Sequence, residues 1–304
     1  MEENNSSNGS KEYTPENTTK RFFRIWKPVL LHQIVLLAAS LVTTFFVSMT
    51  YFSKNQEVLR KAVNDRGLLM QLSEKLAEIA SQYMVLTTAL ASVVLIIICY
   101  RMYHKDQNLR KEKTKSKNGV LQYLLLVGLS ICLHYVLNNI IFASNLGAMS
   151  QSYQEMQKIF YSPSITMQLL VFGIIAPICE ELIYRGLVYN RLREKNSFLK
   201  ASLLASLIFG AVHGNGVQML YGFVMGLLFS FLLEKFGTLV APIFAHVLMN
   251  VMSITLTEVG IYNVLIKNEV LLMVTSVLVA GLGAMFFLQI SKKPQESNSE
   301  ILQK

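Results

Sequence analysis

Apolar and polar positions along this chain fall into long blocks. Eight apolar stretches lie near residues 30–52, 83–100, 120–142, 165–190, 200–214, 217–234, 238–257 and 270–290. A hydrocarbon core about 30 Å thick needs about 20 helical residues to cross it, at about 1.5 Å each. The fifth stretch is short, and the gap after it, Gly214-Asn215-Gly216, predicts a tight turn. Stretches five and six therefore read as an antiparallel hairpin packed against the fourth. The pattern predicts an all-α polytopic membrane helix bundle of about eight transmembrane helices.

The polar blocks set the expected organisation. Lys20, Arg21, Arg24 and Lys27 precede the first span, and a run from Arg101 through Lys105, Arg110, Lys111, Lys113, Lys115 and Lys117 follows the second. Arg191, Arg193, Lys195 and Lys200 follow the fourth, and Lys292 and Lys293 follow the eighth. With eight spans all of these fall on one side, which predicts both termini in the cytoplasm. Residues 1–29 are expected to be a disordered tail, 101–119 a basic cytoplasmic loop and 291–304 a second tail. The outer loop 53–82 carries Leu69, Leu72, Leu76 and Ile79 at helical spacing, predicting an amphipathic helix on the membrane surface or an extension of the second span. Residues 165–257 form the expected core of four membrane helices, with 30–164 before it and a last helix in 258–290. Gly222 and Gly226, in a G-x-x-x-G of the sixth span, predict close internal packing.

Composition agrees with the pattern. The chain has 304 residues, 52% hydrophobic and 15% charged, with mean hydropathy +0.40. A net charge of +9 invites a nucleic-acid reading, but the basic residues sit in short loops between apolar runs, as the positive-inside rule requires, so no nucleic-acid partner is expected. Cys99, Cys132 and Cys179 each lie inside an apolar run, with no C-x-x-C pair to suggest a metal. The first apolar run is long and begins far from the N-terminus, so it reads as a retained helix.

Within the fourth stretch the pattern breaks. Glu180, Glu181 and Arg185 stand in a segment that otherwise reads as lipid-embedded. Each costs about 2.5–3.5 kcal/mol near the bilayer centre. Glu181 and Arg185, four apart, can pair on one face, whereas Glu180 lies about 100° round the helix with no local partner. The fifth stretch carries Phe209 and His213, the seventh His246 and Asn250. Counted from the expected cytoplasmic ends of their helices, Glu180, His213, His246 and Asn250 lie at similar depths, about 12–20 Å. In the third stretch His134 and Asn138 also share a face, and interhelical hydrogen bonding is the expectation there.

One carboxylate, two imidazoles and an amide in a dry cavity suit peptide-bond hydrolysis without a covalent intermediate. Glu180 activates water that His213 holds, while His246 and Asn250 donate to a developing oxyanion. The competing reading makes Glu180, His213 and His246 a His₂Glu set for Zn²⁺, although no H-E-x-x-H is present. No G-x-S-x-G elbow is present either, and Cys179 projects to a different helix face from Glu180.

The motifs E-E-x-x-x-R at Glu180–Arg185, F-x-x-x-H at Phe209–His213 and H-x-x-x-N at His246–Asn250, in this order, resemble the CPBP (Abi) group, which includes the type II CAAX prenyl endopeptidases. The resemblance covers roughly 165–257 and implies an intramembrane endopeptidase of a bacterial plasma membrane. Glu180 and His213 would activate water, His246 and Asn250 would form the oxyanion site, and Glu181, Arg185 and Phe209 would support them. The group is described both as metalloproteases and as glutamate-dependent proteases, so a metal-free mechanism and possible use of Zn²⁺ both stand. A membrane-associated peptide or protein is the implied substrate. Some members of the group serve as non-catalytic partners in bacteriocin immunity or sensor regulation, which is the second reading; a proton-coupled transporter is the third.

Overall fold

The computed structural model describes residues 17–110, 118–262 and 267–292, and within them the regular structure is all helical. The expected tails, apart from residues 17–29, 291 and 292, and Lys111, Lys113, Lys115 and Lys117 of the basic loop lie outside the described residues.

Helix α1 spans Thr18–Lys54 and begins where the Asn17 side chain accepts the Thr19 N–H at 3.0 Å. Residues 18–29, expected in the tail, are therefore helical. They carry Ile25, Val29 and, beyond the stretch, His32 on a buried face, so packing extends the helix beyond its apolar block. After a short α2 (Gln56–Ala62), Asp65 accepts the N–H groups of Gly67 and Leu68 and starts α3, Arg66–Arg110. Of the two readings for the loop at 53–82, extension of the second span describes residues 66–82, with Leu72 and Ala80 buried. Helix α4 is Val120–Ala143, and two shorter helices follow, α5 (Leu146–Met149) and α6 (Gln151–Tyr161). Then come α7 (Ile165–Arg193), α8 (Phe198–Ala211), α9 (Gly216–Phe236), α10 (Val240–Glu258) and α11 (Glu269–Ser291).

Seven of these helices are long and apolar enough to cross a membrane: α1, α3, α4, α7, α9, α10 and α11. The eighth expected span, α8, has 14 residues, about 21 Å of helix against a core of about 30 Å. It stops early because its chain must turn at Gly214, where φ is +78°, a backbone conformation natural to glycine. The predicted hairpin is present, with α9 running back along α8. Backbones touch there: a Cβ on Gly210 would lie 2.5 Å from the Met219 carbonyl oxygen, and one on Gly226 2.8 Å from the Ser206 side chain. The G-x-x-x-G of α9 thus packs internally, as its small residues predict.

At one end of the bundle α7 is tied to the first two long helices. Arg191 donates from Nε to Asp106 of α3 at 2.7 Å and from a terminal nitrogen to the Arg24 carbonyl of α1. That carbonyl is open because Pro28, four residues on, has no N–H to offer it. Glu194 pairs with both Arg24 and Arg110. These bonds fix the register of α1 and α3 against α7, and so the height at which their side chains meet the candidate site.

Candidate active site

The two adjacent glutamates of α7 have different surroundings. Glu181 is fully buried and accepts from Arg185 at 3.0 Å, the pair predicted from their spacing. Arg185 is 1% exposed, and its Nε and second terminal nitrogen have no hydrogen-bond acceptor among the described residues. Its guanidinium lies instead between two aromatic faces, 4.3 Å from the Phe209 centroid and 5.0 Å from that of Phe229. A desolvated cation over aromatic rings gains about 2 kcal/mol, which offsets part of its burial. Phe209 thus lies against the Arg185 guanidinium.

The same Glu181 oxygen lies 2.8 Å from His246 Nδ1, and Phe229 stacks on that imidazole with centroids 4.7 Å apart. With Nδ1–H donating to the carboxylate, Nε2 faces Glu180, whose Oε2 is 3.8 Å away. Arg185, Glu181 and His246 form a chain from α7 to α10 that ends on the other glutamate.

Glu180 is partly exposed and opens on a cavity of about 140 Å³. His213, at the end of α8, lines the same cavity. Its Nδ1 is 2.7 Å from the Phe209 carbonyl oxygen, one of the unsatisfied carbonyls at a helix C-terminus. A carbonyl only accepts, so Nδ1 carries the proton and Nε2 of the neutral ring is an acceptor. The structure thus brings Glu180 together with His213 in one cavity and with His246 in near contact.

Asn250 is placed differently. Its amide donates to the Phe172 carbonyl oxygen at 2.9 Å. Residues Leu169–Ile175 of α7 form a wide π turn in which the Ala176 N–H bonds to the Val171 carbonyl. The next N–H in that register belongs to residue 177, which is proline and has none. Asn250 fills the gap, and neither it nor His246 lines the cavity of Glu180 and His213. A second π segment, Leu182–Tyr189, lies on the other side of the glutamates.

Sequence reasoning missed the part of the cavity that comes from outside the core helices. His32 and Gln33 of α1 and Thr88 and Ser92 of α3 line it together with Glu180 and His213. His32 is buried and its Nδ1 lies 3.2 Å from the Tyr184 hydroxyl, one turn after Glu180. The signal was present: Ile25, Pro28, Val29 and His32 share one face at helical spacing, so an imidazole was due on the packed side of α1. His134 lies elsewhere, with Nε2 2.9 Å from the Tyr262 hydroxyl and Asn138 bonded to its backbone, as interhelical bonding predicts. Among the described residues no group of three His, Cys, Asp or Glu side chains that could hold a metal ion is found.

Comparison with known proteins bears on this same region. Residues 162–252 match the family model described as type II CAAX prenyl endopeptidase Rce1-like. The Bacillus subtilis protein YdiL, which carries the name of a membrane peptidase, is 38% identical over 87 residues, 29% of this chain. That alignment spans 36% of YdiL, about a third of its length. The membrane-embedded CAAX protease MroQ of Staphylococcus aureus is 24% identical over 174 residues, 55% of this chain and 70% of MroQ. No solved structure matches the chain. Glu180, Phe209, His213, His246 and Asn250 all fall inside 162–252, whereas His32, Thr88 and Ser92 lie outside it.

Proposed function

We propose, from the premise that residues 162–252 belong to the CPBP family, that this chain is an intramembrane endopeptidase acting on a membrane-associated peptide or protein. The observation that carries the reading is the contrast between neighbouring carboxylates: Glu181 is closed in by Arg185 and His246, while Glu180 opens on a cavity that also holds His213. A carboxylate that opens on a cavity shared with an imidazole can take a proton from water held there.

In the proposed reaction, water sits between Glu180 and the acceptor Nε2 of His213. Glu180 takes a proton as the water oxygen bonds to the carbonyl carbon, and that proton returns to the amide nitrogen as the C–N bond breaks. The charge that develops on the carbonyl oxygen is assigned to His246 with both ring nitrogens protonated, Nδ1–H staying on Glu181 while Nε2–H donates, and to the second amide proton of Asn250, the first being held by Phe172. Glu181 and Arg185 keep the His246 ring oriented. No step passes through a metal, and both termini and the basic loops are placed on the cytoplasmic side of a bacterial cell membrane.

The test is Glu180→Gln in the full chain, reconstituted in liposomes with the precursor that comparative membrane proteomics finds accumulated when Glu180 is replaced. Loss of turnover of roughly 10²- to 10⁴-fold is expected for removal of a general base. Unchanged turnover removes the reading, and chelator treatment with metal analysis of the same preparation checks the metal-free step.

A further inference from the structure

A peptide bond can be attacked only where the substrate helix is opened. Inside a bilayer, opening a helix leaves backbone N–H and C=O groups without water, each at a cost of several kcal/mol. A protease that works there must offer replacement hydrogen bonds beside its catalytic groups. The core helices supply Glu180 and His213 to the cavity lining, and α1 and α3 supply His32, Gln33, Thr88 and Ser92.

These side chains differ from their neighbours on the same helices. The Thr87 hydroxyl is engaged with the Tyr83 carbonyl and with Thr43 of α1 at 2.7 Å, and Ser40 reaches Met84; those bonds join α1 to α3. Thr88 and Ser92, four apart on one face, make no such bond among the described residues, and they face the cavity instead. His32 is held at Nδ1 by Tyr184, which leaves Nε2 available. Polar groups within apolar helices are costly unless paired or functional, and these are aimed at the space beside Glu180.

We propose that α1 and α3 form a backbone-binding wall, in which His32, Thr88 and Ser92 hydrogen-bond the opened peptide segment of the substrate in the cavity that Glu180 lines. The proposal rests on the protease reading for its occupant. It makes the first two long helices, which lie outside 162–252, part of the binding site.

The experiment measures binding without turnover. The full Glu180→Gln chain, donor-labelled in phosphatidylethanolamine–phosphatidylglycerol liposomes, is titrated by energy transfer with two acceptor-labelled peptides. Both have a Leu/Ala core of about 20 residues with flanking lysines. One is uninterrupted, and the other carries a central Gly-Pro that opens the helix. The chain is expected to prefer the opened peptide. Thr88→Val with Ser92→Ala is expected to weaken that binding by roughly 3- to 10-fold for each group removed, the worth of a net hydrogen bond, and to leave the uninterrupted peptide unchanged. His32→Leu is expected to act in the same direction, with His32→Gln recovering part of the loss. No preference for the opened peptide, a preference unchanged by the variants, or equal loss of both peptides overturns the wall. Cleavage by the wild-type chain with an unchanged preference sinks the wall alone, and preference without cleavage sinks the protease reading alone.

Discussion

Removing one partner of a buried ion pair leaves the other charge uncompensated, at about 3–5 kcal/mol. Arg185→Met would leave Glu181 facing only His246, and Glu181→Gln would leave Arg185 between Phe209 and Phe229 with no anion. Each single variant is expected to lose stability on that scale, and the double variant Glu181→Gln/Arg185→Met to regain most of it. Turnover is expected to stay low in the double variant, because His246 Nδ1 then lacks its carboxylate and the ring is no longer held toward Glu180. Thermal unfolding and turnover of the four chains check this, and recovery of both together would make the pair a packing device only. The sequence shows the Glu181–Arg185 pair because four-residue spacing is local geometry. It is silent on the aromatic slot around Arg185, since Phe209 and Phe229 come from two other helices and only folding brings them to one guanidinium.

At the scale of elements the same division holds. Apolar blocks located every long helix because burial in lipid is a property of composition, whereas helix ends depended on caps and packing. Thus α1 begins at Thr18 under the Asn17 cap, about three turns before its apolar block, and α8 ends where Gly214 turns. The π turn of α7 was marked in the sequence by Pro177, but its consequence, a carbonyl on Phe172 needing a donor from α10, required the partner helix. That consequence separates two roles for Asn250. Asn250→Leu is expected to destabilise the protein by about 1–3 kcal/mol by leaving the Phe172 carbonyl unsatisfied. In a Pro177→Ala background, where an N–H is restored, the cost is expected to be smaller. Unfolding of the four chains gives the coupling, and turnover measured on the same four tells whether Asn250 also acts on the oxyanion: activity lost in Pro177→Ala/Asn250→Leu despite regained stability assigns it that second role.

The whole molecule repeats this device. Pro28 opens the Arg24 carbonyl on α1 as Pro177 opens that of Phe172 on α7, and in each case a side chain from another helix donates to it. In a bilayer no water can take that place, so a missing N–H becomes a directional tie between helices. The Pro28 tie, through Arg191 and Asp106, sets α1 and α3 against α7 at the height where His32 meets Tyr184 and Thr88 and Ser92 meet the cavity. Arg191→Ala should therefore leave Arg24 without its donor and Asp106 without this cation, loosening the first hairpin from the core. A loss of a few kcal/mol is expected, together with weaker substrate binding. Adding Pro28→Ala supplies an N–H to the Arg24 carbonyl from within α1, which satisfies the backbone but does not rejoin the helices. The double variant is thus expected to regain part of the stability and none of the binding. Thermal unfolding and the peptide titration on the same chains separate the two effects; binding restored along with stability would mean that the clamp serves α1 alone and does not set the register of the site.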